Sequence, residues 1–248
     1  MPVTPLLLLP GLLEDADAFE HPAKELSDVA RCVVADLTRS DSIAALAADA
    51  LAQAPAERFA LAGHSMGGYV ALEILRRAPE RVERLALLDT HARPDTPEAT
   101  ANRRRLMALA ERDFAAVSAD LFPTLVAPAH RSDAGLSGKV TGMALATGME
   151  AFLRQERAII ARIDSRPHLA AIRCPTLVIA GRLDAIMPVA LLEELANGIP
   201  GARLEVIEDC GHMSTLERPE VVTGLLREWL ASRPAIPQSR TSTHRRTP

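Results

Sequence analysis

Apolar positions along this chain fall into short solid runs separated by longer amphipathic stretches. Residues 6–9, 32–35, 59–62, 85–88, 176–180 and 204–207 are nearly continuous in Leu, Val, Ile, Ala and Phe. Runs of that length, bounded by Gly, Pro or charged residues, read as strands buried on both faces of a parallel sheet. Between them, residues 16–27, 42–53, 66–77, 190–196 and 219–231 space their apolar side chains at helical intervals. The alternation predicts an α/β fold, a mainly parallel sheet of about six strands flanked by helices. From Thr90 to Ile172 the alternation stops, and helical patterns at 99–111, 114–121, 136–146 and 150–163 follow one another. About 80 residues is too long for a plain connection, so an inserted helical lid is expected. The expected organisation is a core of residues 1–90 and 172–232, a lid of residues 91–171, and a tail of residues 233–248. The tail is rich in Pro, Ser, Thr and Arg and reads as disordered.

The strand at 59–62 runs into Gly63-His64-Ser65-Met66-Gly67 and straight on into a helical pattern. G-x-S-x-G between a strand and a helix is the pattern of a nucleophile elbow. The turn is so sharp that the residues two before and two after the serine must be small. Its reward is a hydroxyl lifted clear of the sheet at a helix N-terminus, where negative charge is favoured. A serine hydroxyl needs a general base, and the base needs an orienting carboxylate, in the chain order Ser, Asp or Glu, His. Asp184 follows the strand at 176–180, and His212 follows the strand at 204–207. Ser65, Asp184 and His212 are therefore the candidate catalytic residues. All three lie beyond the carboxyl ends of parallel strands, where open α/β sheets place their sites. Asp89, closing the strand at 85–88, is the rival acid. Asp184 has a structural alternative as a turn cap before Pro188. His64 is expected to pack beside the elbow. His91 and His130 fall in the lid, lining a pocket or facing solvent, and His21, His168 and His244 read as surface residues.

Composition narrows the chemistry. The chain has 248 residues, 48% hydrophobic and 24% charged, which suits one globular α/β domain. A net charge of −4 leaves no electrostatic footprint for nucleic acid. Aromatic residues make up only 3%, with Trp229 and Tyr69 the sole Trp and Tyr, so cavity walls must be aliphatic. Candidate pocket residues are Leu13, His91, Phe122, Met143 and Met213, with Met107, Met149 and Phe152 serving either pocket or lid core. Cys32, Cys174 and Cys210 show no paired spacing and read as free thiols in a reducing compartment. There is no metal-ligand spacing and no phosphate loop, so no cofactor or metal is expected. The run from Leu6 to Leu13 lacks preceding positive charge and reads as strand rather than signal peptide. No run approaches the ~20 apolar residues of a membrane span, and a cytoplasmic location is expected. Arg103-Arg104-Arg105 is a basic run. It reads as a solvated helix face, or as a contact for an acidic partner such as a carrier-protein-linked substrate.

Four motifs in order, Leu6-Leu-Leu-Leu-Pro-Gly-Leu12, Gly63-His-Ser-Met-Gly-Gly68, Gly181-Arg-Leu-Asp184 and Gly211-His212, carry a resemblance. Together they make the chain similar to the α/β-hydrolases, in the branch of small lidded carboxylesterases that includes the pimeloyl-ACP methyl ester esterases. The resemblance spans residues 4–231. It implies an oxyanion hole formed by the backbone N–H groups of Met66 and Leu12. Relatives usually carry His-Gly where this chain has Pro10-Gly11, a change beside the hole rather than in its donors. Two antiparallel strands that often open the fold are expected to be missing. The resemblance implies a serine hydrolase of a small to medium carboxylic ester, with a small-molecule ester or lactone as its partner and no nucleic acid. Enol-lactone opening and carbon–carbon bond hydrolysis use the same triad, and a non-catalytic ligand-binding member of the fold is a third reading. Dehalogenases and epoxide hydrolases of this fold place aspartate at the elbow, where this chain has Ser65.

Overall fold

Six strands form where the apolar runs predict them: β1 (Thr4–Leu9), β2 (Ala30–Val34), β3 (Phe59–His64), β4 (Val82–Leu88), β5 (Thr176–Gly181) and β6 (Arg203–Ile207). They come from a computed structural model that describes residues 3–232, so the expected tail at 233–248 lies outside the described residues. The sheet order is β2-β1-β3-β4-β5-β6, and every pairing is parallel. β1 shows why the strands lack polar alternation. Leu6 and Leu8 enter one apolar cluster and Leu7 and Leu9 the other, and all four are fully buried. Both faces of the sheet are therefore covered. Helices α1 (Glu20–Glu25) and α11 (Pro219–Ala231) cover the Leu6 face. Helices α2 (Ile43–Ala52), α3 (Met66–Arg77) and α9 (Val189–Gly198) cover the Leu7 face. Between β4 and β5 stand α4 (Pro97–Ala110), α5 (Phe114–Leu125), α6 (Ala134–Thr147), α7 (Met149–Ile160) and the single turn α8 (Arg166–Leu169). A second single turn, α10 (Ser214–Glu217), precedes α11.

The chain runs from β1 outward to β2 and then crosses to β3 on β1's other side. The loops after β1 and β3 therefore diverge and open a crevice at their carboxyl ends. Elbow and oxyanion loop both border that crevice.

Some boundaries differ from expectation. The pattern at 16–27 divides into a 3₁₀ turn (Ala16–Phe19), capped by Asp15, and α1. α1 starts at Glu20, and Pro22, which has no N–H to return to the Ala18 carbonyl, sits in its first turn. α5 continues past Pro123 to Leu125, and α7 stops at Ile160. The extension of α5 has a consequence in the site. Among the described residues no helix is long and apolar enough to cross a membrane.

Candidate active site

Ser65 links β3 to α3 with φ 50° and ψ −115°, a strained left-handed backbone for a residue with a side chain. A Cβ at Gly63 would collide with the Gly67 carbonyl, and one at Gly67 with the Leu9 carbonyl. The turn is tied to β4: the Ser65 N–H donates to the Leu88 carbonyl at 2.9 Å, and the Thr90 hydroxyl donates to the Ser65 carbonyl at 2.8 Å. Met66 opens α3, so its N–H has no acceptor within the helix.

His212 Nε2 lies 2.8 Å from Ser65 Oγ, and its Nδ1 lies 2.7 Å from Asp184 Oδ2. Asp184 Oδ1 accepts the N–H groups of Ile186 and Met187, each at 2.8 Å. Capping the turn and holding the histidine are thus one residue's two oxygens. The rival Asp89 does not reach His212; its Oδ1 accepts the Gly181 N–H at 2.8 Å. The His212 loop is clamped from two sides. The Leu125 carbonyl, left orphan at the end of α5, accepts the His212 and Met213 N–H groups at 2.9 and 3.1 Å. Glu217 accepts the N–H groups of Gly211 and Ala127 at 2.9 and 2.8 Å. Burial disfavours charge on His212, but the Asp184 carboxylate outweighs it and holds the imidazole above its ordinary pKa. Burial likewise pushes Asp184 up, and His212 with two backbone N–H groups pulls it below the usual carboxylate range.

A second buried layer supports the first. His64 Nδ1 meets Glu14 at 2.8 Å, and Nε2 meets the His212 carbonyl at 2.8 Å. Glu14 Oε2 also accepts the Gly11 N–H at 2.6 Å. A carbonyl only accepts, so His64 Nε2 donates to the His212 carbonyl, and a charged ring donates from both nitrogens. Burial opposes that charge; Glu14 and Asp89, whose Oδ2 stands 3.6 Å from Nε2, override it and raise the pKa well above the ordinary value. Gln155 on α7 completes the layer. Its Oε1 accepts the Leu13 N–H and its Nε2 donates to the Leu37 carbonyl, both at 3.1 Å. Gly11 and Leu13 are thereby pinned, and the Leu12 N–H between them donates to no group among the described residues.

A cavity of about 330 Å³ opens over Ser65 and His212. Of the candidate pocket residues, Leu13, Met143 and Met213 line it, beside Leu12 of the oxyanion loop. His91 and Phe122 do not, and both expectations are corrected. His91 is buried behind the wall, its Nε2 3.3 Å from the Tyr69 hydroxyl and its Nδ1 accepting the Arg93 N–H at 3.0 Å. Burial, with Arg162 and Arg93 nearby, lowers its pKa to about 4. Phe122 packs into the apolar cluster beneath the sheet with Val126. His130 binds Glu217 at 2.7 Å rather than the cavity.

The arginine run also needs correction. Arg103 is turned inward, with a side chain only 16% exposed, and its Nη1 meets Glu156 at 2.8 Å. Asp95 bridges Arg103 Nε at 3.3 Å and Arg162 Nη1 at 2.7 Å. Arg162 lies 4.4 Å over the Tyr69 ring, a cation–π contact. Arg104 and Arg105 are exposed, and Arg105 pairs with Asp120. The sequence held a signal for this cluster: Glu156 sits on the same α7 stripe as Phe152 and Ile159, and charge within an apolar stripe demands a partner. Glu14 and Gln155 carried no comparable signal.

A larger groove of about 750 Å³ lies at the amino ends of β4 and β5, near Val82 and Pro175, away from these groups. Among the described residues no cluster of His, Cys, Asp and Glu could hold a metal ion. An elbow serine, a buried imidazole and a carboxylate in hydrogen-bonded series suit nucleophilic attack on an acyl carbon.

The alpha/beta hydrolase fold model matches residues 4–219, and the chain belongs to that family. A pimeloyl-[acyl-carrier protein] methyl ester esterase from Aromatoleum aromaticum is 32% identical over 186 residues, 67% of this chain and 71% of the relative. Among solved structures, a thermophilic esterase from Thermogutta terrifontis superimposes with a TM-score of 0.85 at 34% identity, covering 92% of this chain and 89% of that one. The enol-lactonase from Burkholderia xenovorans superimposes with a TM-score of 0.83 at 26% identity, covering 92% of each chain.

Proposed function

We propose that this chain is a serine hydrolase that cleaves a small to medium carboxylic ester through an acyl-enzyme. Ser65 Oγ attacks the carbonyl carbon as its proton passes to His212 Nε2. The tetrahedral oxyanion rests on the N–H groups of Leu12 and Met66. His212 then gives the proton to the leaving alkoxide oxygen, and the ester C–O bond breaks. Water attacks the acyl-serine, losing a proton to His212, and the acid departs as Ser65 recovers its proton. Asp184 keeps His212 in the productive tautomer and stabilises the imidazolium. Helices α4–α8 serve as the lid that excludes water and shapes the pocket. No cofactor takes part. The three free thiols fit a reducing, cytoplasmic setting.

The observation that carries this reading is the unbroken line from Ser65 Oγ through His212 to Asp184, at 2.8 and 2.7 Å. p-Nitrophenyl esters of increasing acyl length test it. Turnover by the wild type that disappears in Ser65→Ala is the expected result; turnover retained in the variant contradicts it. Lactone opening is the second reading, favoured by the likeness to a protein named enol-lactonase. Faster opening of enol-lactones than of any open-chain ester would select it.

A further inference from the structure

The cavity wall is apolar along α5 and α6 and polar where α4 meets α7, at Arg103 and Glu156. Most polar groups in the wall are already satisfied. Ser118 bonds Thr141 at 3.0 Å, Thr124 bonds the Leu121 carbonyl at 2.7 Å, and Asn102 accepts from Arg105 at 3.0 Å. Glu156 is the exception. Its Oε2 holds Arg103, while its Oε1 is buried with no hydrogen-bond partner. Arg103 spends Nε on Asp95 and Nη1 on Glu156, and its Nη2 meets no acceptor among the described residues. The ion pair thus carries one orphan acceptor and one free donor. Burying an unsatisfied carboxylate oxygen is costly, and burial already holds Glu156 above the usual carboxylate pKa despite Arg103. Two arginines, Arg103 and Arg162, balance two carboxylates, Asp95 and Glu156, so the cluster offers no net charge to a ligand.

We propose that Arg103 and Glu156 form a subsite for an uncharged hydroxyl group carried by the substrate, at a distance from the ester that undergoes cleavage. A hydroxyl donates its hydrogen to Glu156 Oε1 and accepts from Arg103 Nη2, which completes both groups at once. A methyl group satisfies neither. A carboxylate sets negative charge against Oε1, and an ammonium sets positive charge against the guanidinium. The subsite rests on the esterase reading above and selects among esters: hydroxy-acyl or hydroxy-alkyl esters are preferred over plain aliphatic ones.

Two matched series of esters test the proposal, with a terminal methyl, hydroxymethyl or carboxylate at the end of the acyl chain or of the alcohol chain. At the chain length that reaches the subsite, the hydroxyl ester is expected to exceed its methyl counterpart in kcat/KM by about tenfold or more, as a hydrogen bond to a charged group implies. The carboxylate ester is expected to be the slowest of the three. In Glu156→Gln the hydroxyl-to-methyl ratio falls toward one. Paired neutralisation, Arg103→Gln with Glu156→Gln, leaves no lone buried charge and serves if the single variant does not fold. Equal rates for hydroxyl and methyl esters at every length in both series overturn the subsite, as does a carboxylate ester that is fastest, or an unchanged ratio in the variants. Failure of the esterase reading looks different: the wild type then cleaves none of the esters, methyl-ended ones included, and the subsite falls with it.

Discussion

The two halves of the site are held in opposite ways. The sheet-borne half, Ser65, Asp184 and His212, is fixed by hydrogen bonds from backbone groups that strands and helices leave unpaired. The Leu125 carbonyl, the Ile186 and Met187 N–H groups and the Leu88 carbonyl all do this. The half supplied by the inserted helices is mostly aliphatic and carries one neutral cluster of side-chain charges. Directional backbone bonds hold a geometry to tenths of an ångström, which acyl transfer needs. An aliphatic wall tolerates changes of volume. On the proposed esterase reading, chemistry resides in the sheet-borne half and selectivity in the helical half, and substitutions should separate along that line.

The largest effect is expected in the sheet-borne half. Asp184→Asn should lower kcat by about 10⁴-fold with the fold intact, because His212 then adopts the wrong tautomer; steady-state kinetics beside a thermal melt measure it. A loss below tenfold would mean that Asp89 substitutes after all. Loosening the oxyanion loop comes next. Gln155→Leu frees the Leu13 N–H and should cost about 10–100-fold in kcat with little change in KM, as displaced donors do.

The His64 layer separates folding from chemistry. His64→Gln leaves Glu14 buried without its counter-charge and should destabilise the fold by about 3 kcal/mol, read by urea unfolding. The folded pKa of His64 lies above its unfolded value. Its contribution is therefore full below about pH 6.5, the unfolded value, and is lost as pH rises through the folded pKa. The variant should lack that alkaline decline. Catalysis has the opposite sign at His212, whose raised pKa must be exceeded for the ring to act as a base. kcat/KM should climb with pH along an acid limb centred above about 6.5, the ordinary imidazole value. The smallest effect belongs to the surface of the helical half. Arg105→Ala should leave kcat/KM and Tm unchanged, since its pair with Asp120 is exposed, whereas Arg103 in the same run is turned inward onto Glu156.

Much of the sheet-borne half was legible in the sequence, because steric and topological necessity writes it there. Gly63 and Gly67 advertise the elbow, and solid apolar runs such as Leu6–Leu9 advertise doubly covered strands. Asp184 and His212 follow strands in chain order. The helical half was far less legible. Helical periodicity places Met143 on a helix and leaves Phe122 one residue past the end of another, without saying which faces the cavity. Only the packing of α5 and α6 turns Met143 toward the cavity and Phe122 into the core. Arg103 read as solvated within its basic run because its partners Asp95 and Glu156 lie 8 and 53 residues away. Glu14 and His64 meet across 50 residues, and such pairings are set by tertiary structure alone.

Covalent labelling tests the central claim most directly. A fluorophosphonate should add stoichiometrically to the protein and, by peptide mass mapping, to Ser65, with no adduct in Ser65→Ala. An unlabelled protein, or an adduct on another residue while ester turnover continues, would contradict the account.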